Sequence, residues 1–464
     1  MIRKLLQSTL FLIFFSLSHT LSAQCWTNVW PGDAFCLAQK PDGSIWAWGK
    51  NSSGQYGNGN TSIKRFPIKV DSSNQWKRLS TSNSHVLAIK LDGSLWGWGE
   101  NGSGQLGLGD YTDRLNAVRI GTRNDWVKVF AGYERSFALT SDGKLWCWGN
   151  NASGALGDGS STNRNIPAKM DSTLKFDTVA AGSFHTLAIT KSRKMYAWGK
   201  NNYSQIGDPV FVNQFTVNKP QRIGTDSSWA MVATGEHHSV ALKNNGTIWT
   251  WGMNENGELG DSSLVPKRIV PAQMGTANNW KSISAQLTPS TMAQKTDGSI
   301  WGWGRNYNGI FGFEADIIKY RPFKIGTATN WKFVKTGGYA NYFLNNSGTL
   351  FSCGYNGTGG LGQGISNTYS SIIAQVGCLT TSNEDLLKDE NELSVYPNPG
   401  NGEFHVSGFR FPATIRVVDV MGRLKTETIV QSEQEAVLFV QEPRMYVVQV
   451  LSNGQSRIRT LVVK

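Results

Sequence analysis

The chain has 464 residues, enough for two or three domains, and a formal net charge of +12. Its 51 Gly, its 18 Trp and a charged fraction of only 17% exclude a disordered chain and indicate a turn-rich β protein with large buried rings. All Trp residues lie between Trp26 and Trp331, so the C-terminal part is a compositionally different domain. The Lys and Arg residues are scattered without a run or stripe, which indicates a solvated basic surface and no nucleic-acid partner.

Residues 1–23 have the pattern of a secretory signal peptide. Two basic residues precede the apolar stretch Leu5–Leu17, and Leu21-Ser22-Ala23 provides a small-residue cleavage site. The apolar stretch is too short to span a bilayer. Gln24 stands before Cys25, where lipid attachment would require a small residue. We expect an exported protein that begins at Gln24, keeps no membrane span and is able to form disulfides.

One pattern recurs seven times after this segment. The second copy reads Trp96-Gly97-Trp98-Gly99-Glu100-Asn101-Gly102-Ser103-Gly104-Gln105-Leu106-Gly107, and the others begin at Trp46, Trp146, Tyr196, Trp249, Trp301 and Phe351. Subtracting successive start positions gives 50, 50, 50, 53, 52 and 50 residues. Strand alternation places the two rings on one face and a small residue on the other. Such sheets stack with rings in hollows, and seven of them around an axis form a β-propeller.

Each repeat contains four strand-like segments, which in the second repeat are Trp76–Leu79, His85–Lys90, Ser94–Gly99 and Val118–Ile120. Asp92-Gly93 is a hairpin signal between the second and third segments, and Ser192-Arg193 stands in that place in the fourth repeat. The sequence therefore predicts an all-β fold, a seven-bladed propeller with four-stranded blades over residues 24–378.

The repeat resembles the regulator of chromosome condensation repeat. The resemblance rests on the pattern above and on the element that precedes it, Ala181-Gly182-Ser183-Phe184-His185-Thr186-Leu187-Ala188-Ile189 in the fourth repeat. It covers Trp26 to about Cys378 and implies the same seven-bladed propeller. The family's namesake is a nuclear exchange factor for a small GTPase that also docks on chromatin, and other members are secreted binding proteins, including a bacterial inhibitor of β-lactamases. An export signal argues against exchange-factor activity, which requires a cytosolic GTPase.

The remaining chain divides into a linker and a small domain. Residues 379–391 are polar and acidic, which indicates a linker. Residues 392–464 contain the strand-like segments Thr414–Val420, Ala436–Val440 and Tyr446–Leu451, which predict a small β-sandwich.

This tail resembles the C-terminal sorting domain of the type IX secretion system. The residues that carry the resemblance are Tyr396, Pro397, Asn398, Pro399, Gly422, Tyr446 and Lys464. One departure is Arg444-Met445, where the family usually has a glycine before Tyr446. The resemblance implies the type IX secretion machinery as a partner, and release from or attachment to the outer-membrane surface of a Gram-negative bacterium.

The sequence predicts no catalytic residue, no cofactor and no metal site. The family's His position reads Phe35, His85, Arg135, His185, His238, Ser290 and Ala340 around the ring. Three His in seven positions do not form a metal site, and we expect them to pack and to hydrogen-bond to a neighbouring turn. The glycine spacing of the Gly-rich loops matches the dinucleotide-binding fingerprint, but no helix follows these loops. We therefore do not expect them to bind a dinucleotide. The glycosylation triplets at Asn51, Asn101, Asn151 and Asn356 are interpreted as turn formers.

Departures from the repeat are the candidate ligand contacts, since Tyr and Arg are typical anchors of recognition. These residues are Tyr111, Arg114, Phe211, Phe215, Tyr307, Tyr320 and Arg321. Phe211 and Phe215 lie in the longest loop, and packing of both onto their own blade is the open alternative. We expect a non-catalytic binding scaffold that recognises a protein or a glycan. The alternative is a hydrolase-like enzyme at the mouth of the axial channel, which is disfavoured because no acid, base or metal constellation stands out.

Cys25 and Cys378 are predicted to form a disulfide where the ends of the ring meet. When the two ends of the propeller are both aligned with the interior linker Ile120–Trp126, Cys378 and Cys25 match positions that are three residues apart in that linker. In a turn this separation brings the two Cα atoms within ~4.4–6.8 Å, which a disulfide can bridge. Cys36, Cys147 and Cys353 are expected to be buried thiols, with Cys36 and Cys353 left open as a second pair.

Export should depend on the tail. Deletion of residues 392–464 is expected to leave the protein in the periplasm, because that segment resembles an outer-membrane export address. Immunoblots of periplasm, outer membrane and medium, with the full chain as control, measure the distribution. Unchanged surface or medium levels of the truncated protein would refute the assignment.

Overall fold

The computed structural model describes residues 25–377 apart from positions 171–172, 314, 316 and 366, and the tail segments 394–396, 403–407, 412–419, 423–430, 435–440, 442, 445–452 and 455–463. The chain divides into two compact units, Met1–Cys378 and Leu379–Lys464. The expected signal peptide and linker, Cys378, and the motif residues Pro397, Asn398, Pro399, Gly422 and Lys464 lie outside the described residues. Within the described part, no helix is long and apolar enough to cross a membrane.

The first unit contains seven four-stranded antiparallel sheets, each made of four consecutive strands, so the predicted seven blades are confirmed. The strands of blades 1 to 4 are β1 (Asn28–Pro31), β2 (Phe35–Gln39), β3 (Ile45–Gly49), β4 (Lys64–Asp71); β5 (Trp76–Thr81), β6 (His85–Lys90), β7 (Leu95–Gly99), β8 (Arg114–Arg119); β9 (Trp126–Ala131), β10 (Arg135–Thr140), β11 (Leu145–Gly149), β12 (Arg164–Lys169); β13 (Phe176–Ala181), β14 (His185–Thr190), β15 (Met195–Lys200), β16 (Thr216–Arg222). Those of blades 5 to 7 are β17 (Trp229–Thr234), β18 (His238–Lys243), β19 (Ile248–Met253), β20 (Lys267–Gln273); β21 (Trp280–Ser284), β22 (Ser290–Lys295), β23 (Ile300–Arg305), β24 (Ile318–Lys324); β25 (Trp331–Thr336), β26 (Ala340–Asn345), β27 (Leu350–Tyr355), β28 (Tyr369–Gln375).

The first strand of each blade lies at the axis, because the first strands of neighbouring blades contact one another around the ring. The second and third strands are joined by the predicted Asp-Gly hairpins, in which the glycine adopts a positive φ, as at Gly93 with +80°. Arg193 adopts the same conformation, with φ +61°, in the fourth blade. The polar fourth strands form the outer edge. Two sets of turns are therefore presented at the two ends of the axis.

The fourth strands are longer than the three-residue segments predicted from the sequence. They span six to eight residues and begin about four residues earlier, as β12 does at Arg164. Five of the seven contain a proline, Pro167 among them, and the pairing with the third strand shifts register next to it. Proline has no N–H donor and is therefore rarely read as part of a strand, and the polar face of an edge strand weakens its hydrophobic pattern. Together these two features make an edge strand hard to recognise from the sequence.

The blades stack as the WxWG pattern predicts. Trp98 of blade 2 packs against Ala47 and Leu37 of blade 1, in a cluster that both blades share. The Trp98 indole Nε1 also donates to the carbonyl oxygen of Gln55, in the Gly-rich loop of blade 1, at 2.9 Å. We call this bond the indole clasp. The same clasp is made to the preceding blade by Trp48, Trp148, Trp198, Trp251 and Trp303, with distances from 2.8 to 2.9 Å.

Blade 7 departs from the clasp but keeps its geometry. Cys353 replaces the second Trp, and its Sγ donates to the carbonyl oxygen of Ile310 in blade 6 at 3.1 Å. Asn341 of the neighbouring strand donates to the same oxygen at 2.8 Å. Every junction in the ring is thus fixed by a side-chain donor on a loop carbonyl of the preceding blade.

The seam between blades 7 and 1 is closed by packing and hydrogen bonds, since every described propeller sheet is built from consecutive strands. The Trp48 clasp ends on Gly360, and the backbone N–H of Trp26 donates to the Gly348 carbonyl at 3.0 Å. Lys335 crosses the seam and donates to the Val29 carbonyl at 2.8 Å. These contacts join the two chain ends of the propeller without strand exchange.

The cysteines follow the sequence-based expectations in part. Cys36, Cys147 and Cys353 are buried free thiols, so the second pair left open between Cys36 and Cys353 does not form. Cys25 is disulfide-bonded. Its predicted partner, Cys378, lies outside the described residues, so that pairing stays a prediction.

The second unit has two sheets. One has the order β29 (Ser394–Tyr396), β30 (Glu403–Ser407), β33 (Glu435–Phe439), and the other the order β32 (Leu424–Val430), β31 (Ala413–Asp419), β34 (Met445–Ser452), β35 (Gln455–Val462). Alternate residues of both sheets form one apolar core. Tyr446 is buried in this core, and its hydroxyl donates to the Glu442 carbonyl at 3.1 Å. The β pattern is confirmed, although the sequence predicted only three of the seven described strands.

The indole clasp should contribute measurably to stability. Trp148→Phe removes part of the indole ring together with the hydrogen bond to Gln105. Trp146→Phe is the matched control, because it removes the same part of the ring from a Trp whose Nε1 has no hydrogen-bond partner among the described residues. We expect Trp148→Phe to lower the free energy of unfolding by about 1 kcal/mol more than Trp146→Phe. Urea unfolding monitored by Trp fluorescence reports on the propeller alone, because all Trp lie there. Equal losses in the two variants would show that the bond contributes nothing.

Candidate functional site

The turns between the first and second strands surround one end of the axis. In most blades a glycine begins the turn, and its N–H donates to the carbonyl of the residue three positions later, as Gly235 does to His238 at 3.0 Å. A Cβ at position 235 would lie 2.0 Å from the His238 ring, so only glycine fits there. The second of the two residues before the His position accepts a repeated hydrogen bond through its backbone carbonyl, as Phe184 does from the Lys200 N–H at 3.0 Å, but the side chains of the two residues take no part in these repeated bonds. They are therefore free to differ from blade to blade.

The three histidines of the repeat hold neighbouring blades together. The Nε2 atoms of His85 and His185 lie 3.0 and 2.9 Å from the hydroxyls of Ser136 and Ser239 in the next blade. Ser136 donates to the Gln105 carbonyl, which indicates that His85 carries its proton on Nε2. Burial lowers the pKa of His85 to about 3, so the ring is neutral. The expected hydrogen-bonding role is confirmed, although the partner is a strand hydroxyl instead of a turn.

The Asn that recurs in each Gly-rich loop closes that loop internally. The Asn101 side chain accepts from the Leu106 N–H at 2.9 Å and donates to the Asp110 carbonyl at 3.0 Å. The other triplet positions, Asn51, Asn151 and Asn356, make the equivalent bonds and are buried. An attached glycan could not be accommodated at these positions in the folded blade.

A cavity of about 860 Å³ opens at this end of the axis, and we call it the channel mouth. Six of the seven blades contribute a residue from the first turn, namely Asp33, Tyr133, Phe184, Glu236, Leu287 and Tyr339. The ends of the third strands and the loops that follow them add Lys50, Asn256, Arg305, Tyr307 and Tyr355. The volume is within the range of ligand sites, and the site is assembled from residues that are hundreds of positions apart.

Aromatic rings form much of the channel mouth. Tyr133 and Tyr339 are 36% and 42% exposed, and Tyr355 packs edge-on to Tyr339 with ring centroids 6.1 Å apart. Phe184 is stacked on His237 at 5.3 Å. Partly exposed tyrosines held by neighbouring rings present rigid amphipathic surface at low entropic cost, which is typical of recognition sites.

Carboxylates converge on the same rings. The pKa of Asp33 is raised by burial, against the effect of Lys50, and the pKa of Glu236 is raised by burial, against Lys200. The pKa of Tyr133 is raised by burial and then by four carboxylates, those of Glu134, Asp33, Glu100 and Glu236. Tyr133 is thus surrounded by carboxylates in a chain whose net charge is +12.

The structure places one of the seven predicted contact residues, Tyr307, in the channel mouth. Tyr111 is exposed on the loop before β8, and Arg114 at the start of that strand forms an ion pair with Asp110. Tyr320 and Arg321 are exposed on the outer strand β24. The predicted residues therefore do not form one surface.

The long loop of the fourth repeat places its two rings in different environments. Phe211 is half-buried and packs against the core that blades 4 and 5 share, which is the open alternative stated for it. Phe215 is 74% exposed. A short 3-10 helix over Pro209–Phe211, capped by Asp208, turns the first ring inward. Only Phe215 remains available to a ligand.

Sequence reasoning missed Tyr133, Phe184, Glu236 and Tyr339. They occupy the two variable positions before the His position, and the sequence does show that aromatic and acidic residues recur there. These two positions are recognised as candidate ligand contacts only when the first strand is known to lie at the axis, because the turn that follows it then borders the channel. That fact could have directed the search to the first turn instead of to the longest loop.

Comparison with known families matches two parts of the chain. Residues 15–287 match the RCC1-like domain, and residues 394–464 match the secretion system C-terminal sorting domain. The second match supports export by type IX secretion, to the medium or to the outer-membrane surface.

Several relatives share the propeller. Protein RCC1 of Candida albicans is 26% identical over 36% of this chain and 40% of its own length. The ultraviolet-B receptor UVR8 of Arabidopsis thaliana is 30% identical over 33% of this chain and 36% of its own length. This chain thus matches less than half the length of either protein. The structure of Prp20p from Saccharomyces cerevisiae is similar in fold, with a TM-score of 0.64, 20% identity, and coverage of 76% of this chain and 88% of that one.

The two phenylalanines of the long loop should behave differently when truncated. Phe211→Ala is expected to lower the free energy of unfolding by about 1–2 kcal/mol, because it opens a gap against a shared core. Phe215→Ala is expected to change it by less than about 0.5 kcal/mol, because the ring is exposed. Urea unfolding of the two single variants measures both values. A large loss for Phe215→Ala would mean that its ring is part of the core.

Proposed function

Because the chain belongs to the RCC1-like domain family and ends in a secretion system sorting domain, we propose that it is an exported, non-catalytic binding protein whose ligand enters the channel mouth. The observation that supports this proposal is the composition of the mouth. Partly exposed Tyr133 and Tyr339, together with Asp33 and Glu236, line a cavity of about 860 Å³. Rigid rings flanked by a few charged groups are typical of recognition sites.

The polar groups of the repeat support binding over catalysis. His85, His185 and His238 are buried, neutral and engaged with the next blade, so they are not positioned to move protons at the mouth. Cys36 and Cys353 are buried thiols whose pKa is raised by burial, which disfavours the nucleophilic thiolate. These three histidines and two thiols of the blades thus serve packing.

One observation favours the enzymatic alternative. Asp33 and Glu236 both line the mouth with pKa values raised by burial, and a carboxyl of raised pKa is the usual acid of glycoside hydrolysis. An exported hydrolase would use this pair with a water molecule in the cavity. The two functions share one site and differ in whether the ligand is changed.

The binding proposal is tested with the full exported chain immobilised and exposed to conditioned medium and surface extract of the producing bacterium. Tyr133→Ala with Tyr339→Ala is expected to retain at least tenfold less of the bound species than the unaltered protein, because both rings border the cavity. The matched control is Tyr111→Ala with Tyr369→Ala, which removes two exposed tyrosines outside the mouth lining.

The same preparation separates binding from hydrolysis. A retained species that keeps its mass during prolonged incubation supports binding alone. A species that is cleaved by the unaltered protein and left intact by Glu236→Gln would establish the enzyme instead. Equal retention by the Tyr133/Tyr339 variant and the control would place the ligand site elsewhere on the propeller.

A further inference from the structure

Carboxylates gather around Tyr133 at the channel mouth. Four carboxylates from blades 1, 2, 3 and 5 act on the Tyr133 hydroxyl: Asp33, Glu100, Glu134 and Glu236. Glu134 accepts from Asn150 at 2.9 Å and from Ser103 at 3.1 Å, and is thereby held in place. The described lining itself contributes two carboxylates, Asp33 and Glu236, and two cations, Lys50 and Arg305, so the excess of negative charge comes from Glu100 and Glu134 beside it.

The cations already present are engaged by the mouth's own groups. Lys50 donates to Ser84 at 3.2 Å, and its charge lowers the pKa of Asp33. Arg305 lies over the Tyr307 ring at 5.0 Å. Lys200, beside the lining, lies over Phe184 at 4.6 Å. The mouth thus uses ring faces to hold positive charge, as cation–π contacts do elsewhere.

Two ring faces are left for a ligand. Among the described residues, no cation lies over Tyr133 or Tyr339, although both are more than a third exposed. One carboxylate oxygen of Asp33, Oδ1, is buried without a hydrogen-bond partner in the described part of the chain. Gly338 packs on this oxygen, and a Cβ there would lie 2.3 Å from it. Gly338 covers this oxygen, which is therefore closed to a ligand, but a poorly hydrated carboxylate beside unoccupied rings favours a positive charge nearby.

We infer that the channel mouth binds a basic segment of a partner protein, with a lysine ammonium or arginine guanidinium placed between Tyr133 and Tyr339 and facing Asp33 and Glu236. This inference rests on the proposed function and names the chemistry of its ligand. The cavity of about 860 Å³ is larger than one side chain, so it accommodates a loop or terminus with more than one basic residue. A neutral glycan stacks on tyrosines equally well but has no need of four converging carboxylates.

The chain's overall charge makes the test stringent. A basic peptide is repelled by a protein with a net positive charge, so its binding requires a local acidic site. The probes are fluorescein-labelled hexalysine, hexaarginine and hexaglutamate, with unlabelled N-acetylglucosamine hexamer as the neutral competitor. Fluorescence anisotropy with the full exported chain measures affinity.

Hexalysine and hexaarginine are expected to bind and hexaglutamate is not. Asp33→Asn with Glu236→Gln is expected to weaken the basic peptides at least tenfold. The matched control, Asp125→Asn with Asp177→Asn, removes two equal charges from ion pairs outside the mouth lining and should leave affinity within twofold. Tyr133→Phe with Tyr339→Phe should retain binding, because the rings remain, whereas the double alanine variant should lose it.

Affinity should also fall as the pH is lowered from 7 to 5. The pKa values of Asp33, Glu100 and Glu236 are raised, so these carboxyls gain protons at a higher pH than usual and lose attraction for a cation. The titratable and charged groups that face these three carboxyls are Lys50, Lys200, Glu134, Asp113, His237, Tyr133 and Tyr339. Burial lowers the pKa of His237 to about 4, so this ring stays neutral over the range.

Three outcomes overturn the inference. Failure of the basic peptides to bind, or equal binding to the Asp33/Glu236 variant and the control, excludes a cation site. Binding of the N-acetylglucosamine hexamer that is lost in the Tyr133/Tyr339 alanine variant also overturns it, but leaves the proposed function standing. If no probe binds and the tyrosine variant retains the culture-derived ligand, both proposals fail together.

Discussion

The structure depends on one repeated bond, in which an indole N–H of one blade donates to a loop carbonyl of the blade before it. The ring has to close with seven copies, so each junction must hold the same angle. A large ring seated against a small residue sets the spacing, and the directional bond sets the orientation. Trp48 makes this bond to Gly360 across the seam, where the two ends of the propeller meet. No peptide linker joins blades 7 and 1 there, and the bond helps to hold the two ends together.

This constraint divides each repeat into fixed and variable positions. The Trp pair, the small residue between them, the Gly-rich loop and its Asn all serve the junction, and they leave little freedom for ligand chemistry. The two side chains in the first turn, such as those of Tyr133 and Glu134, are not part of the clasp and lie next to the axis. First turns from six of the seven blades converge on one opening. A mouth with rings and carboxylates can therefore be assembled without disturbing the packing that closes the ring.

The blade count, the antiparallel order and the hairpin turns could be read from the sequence, because a strict period near 50 residues and the WxWG alternation are local signals. The outer strands were shortened in the prediction, because prolines such as Pro167 disguise an edge strand. The sequence-based candidates other than Tyr307 lie outside the channel mouth for a different reason. Tyr133 and Tyr339 lie more than 200 positions apart, and their proximity follows from ring closure, which no local pattern reports. Phe211 stood out in the sequence because its loop is long, but the loop turns that ring into the core.

The central claim is that the channel mouth is the surface that meets the ligand. Hydroxyl-radical footprinting of tyrosine side chains tests it directly, with purified protein compared with protein left in place on the producing cells or in their medium. The account predicts that Tyr133, Tyr339 and Tyr355 lose reactivity in place, whereas Tyr111 and Tyr369, both exposed and outside the mouth lining, react equally in the two states. Protection of Tyr111 or Tyr369 with unchanged reactivity at the mouth would contradict it.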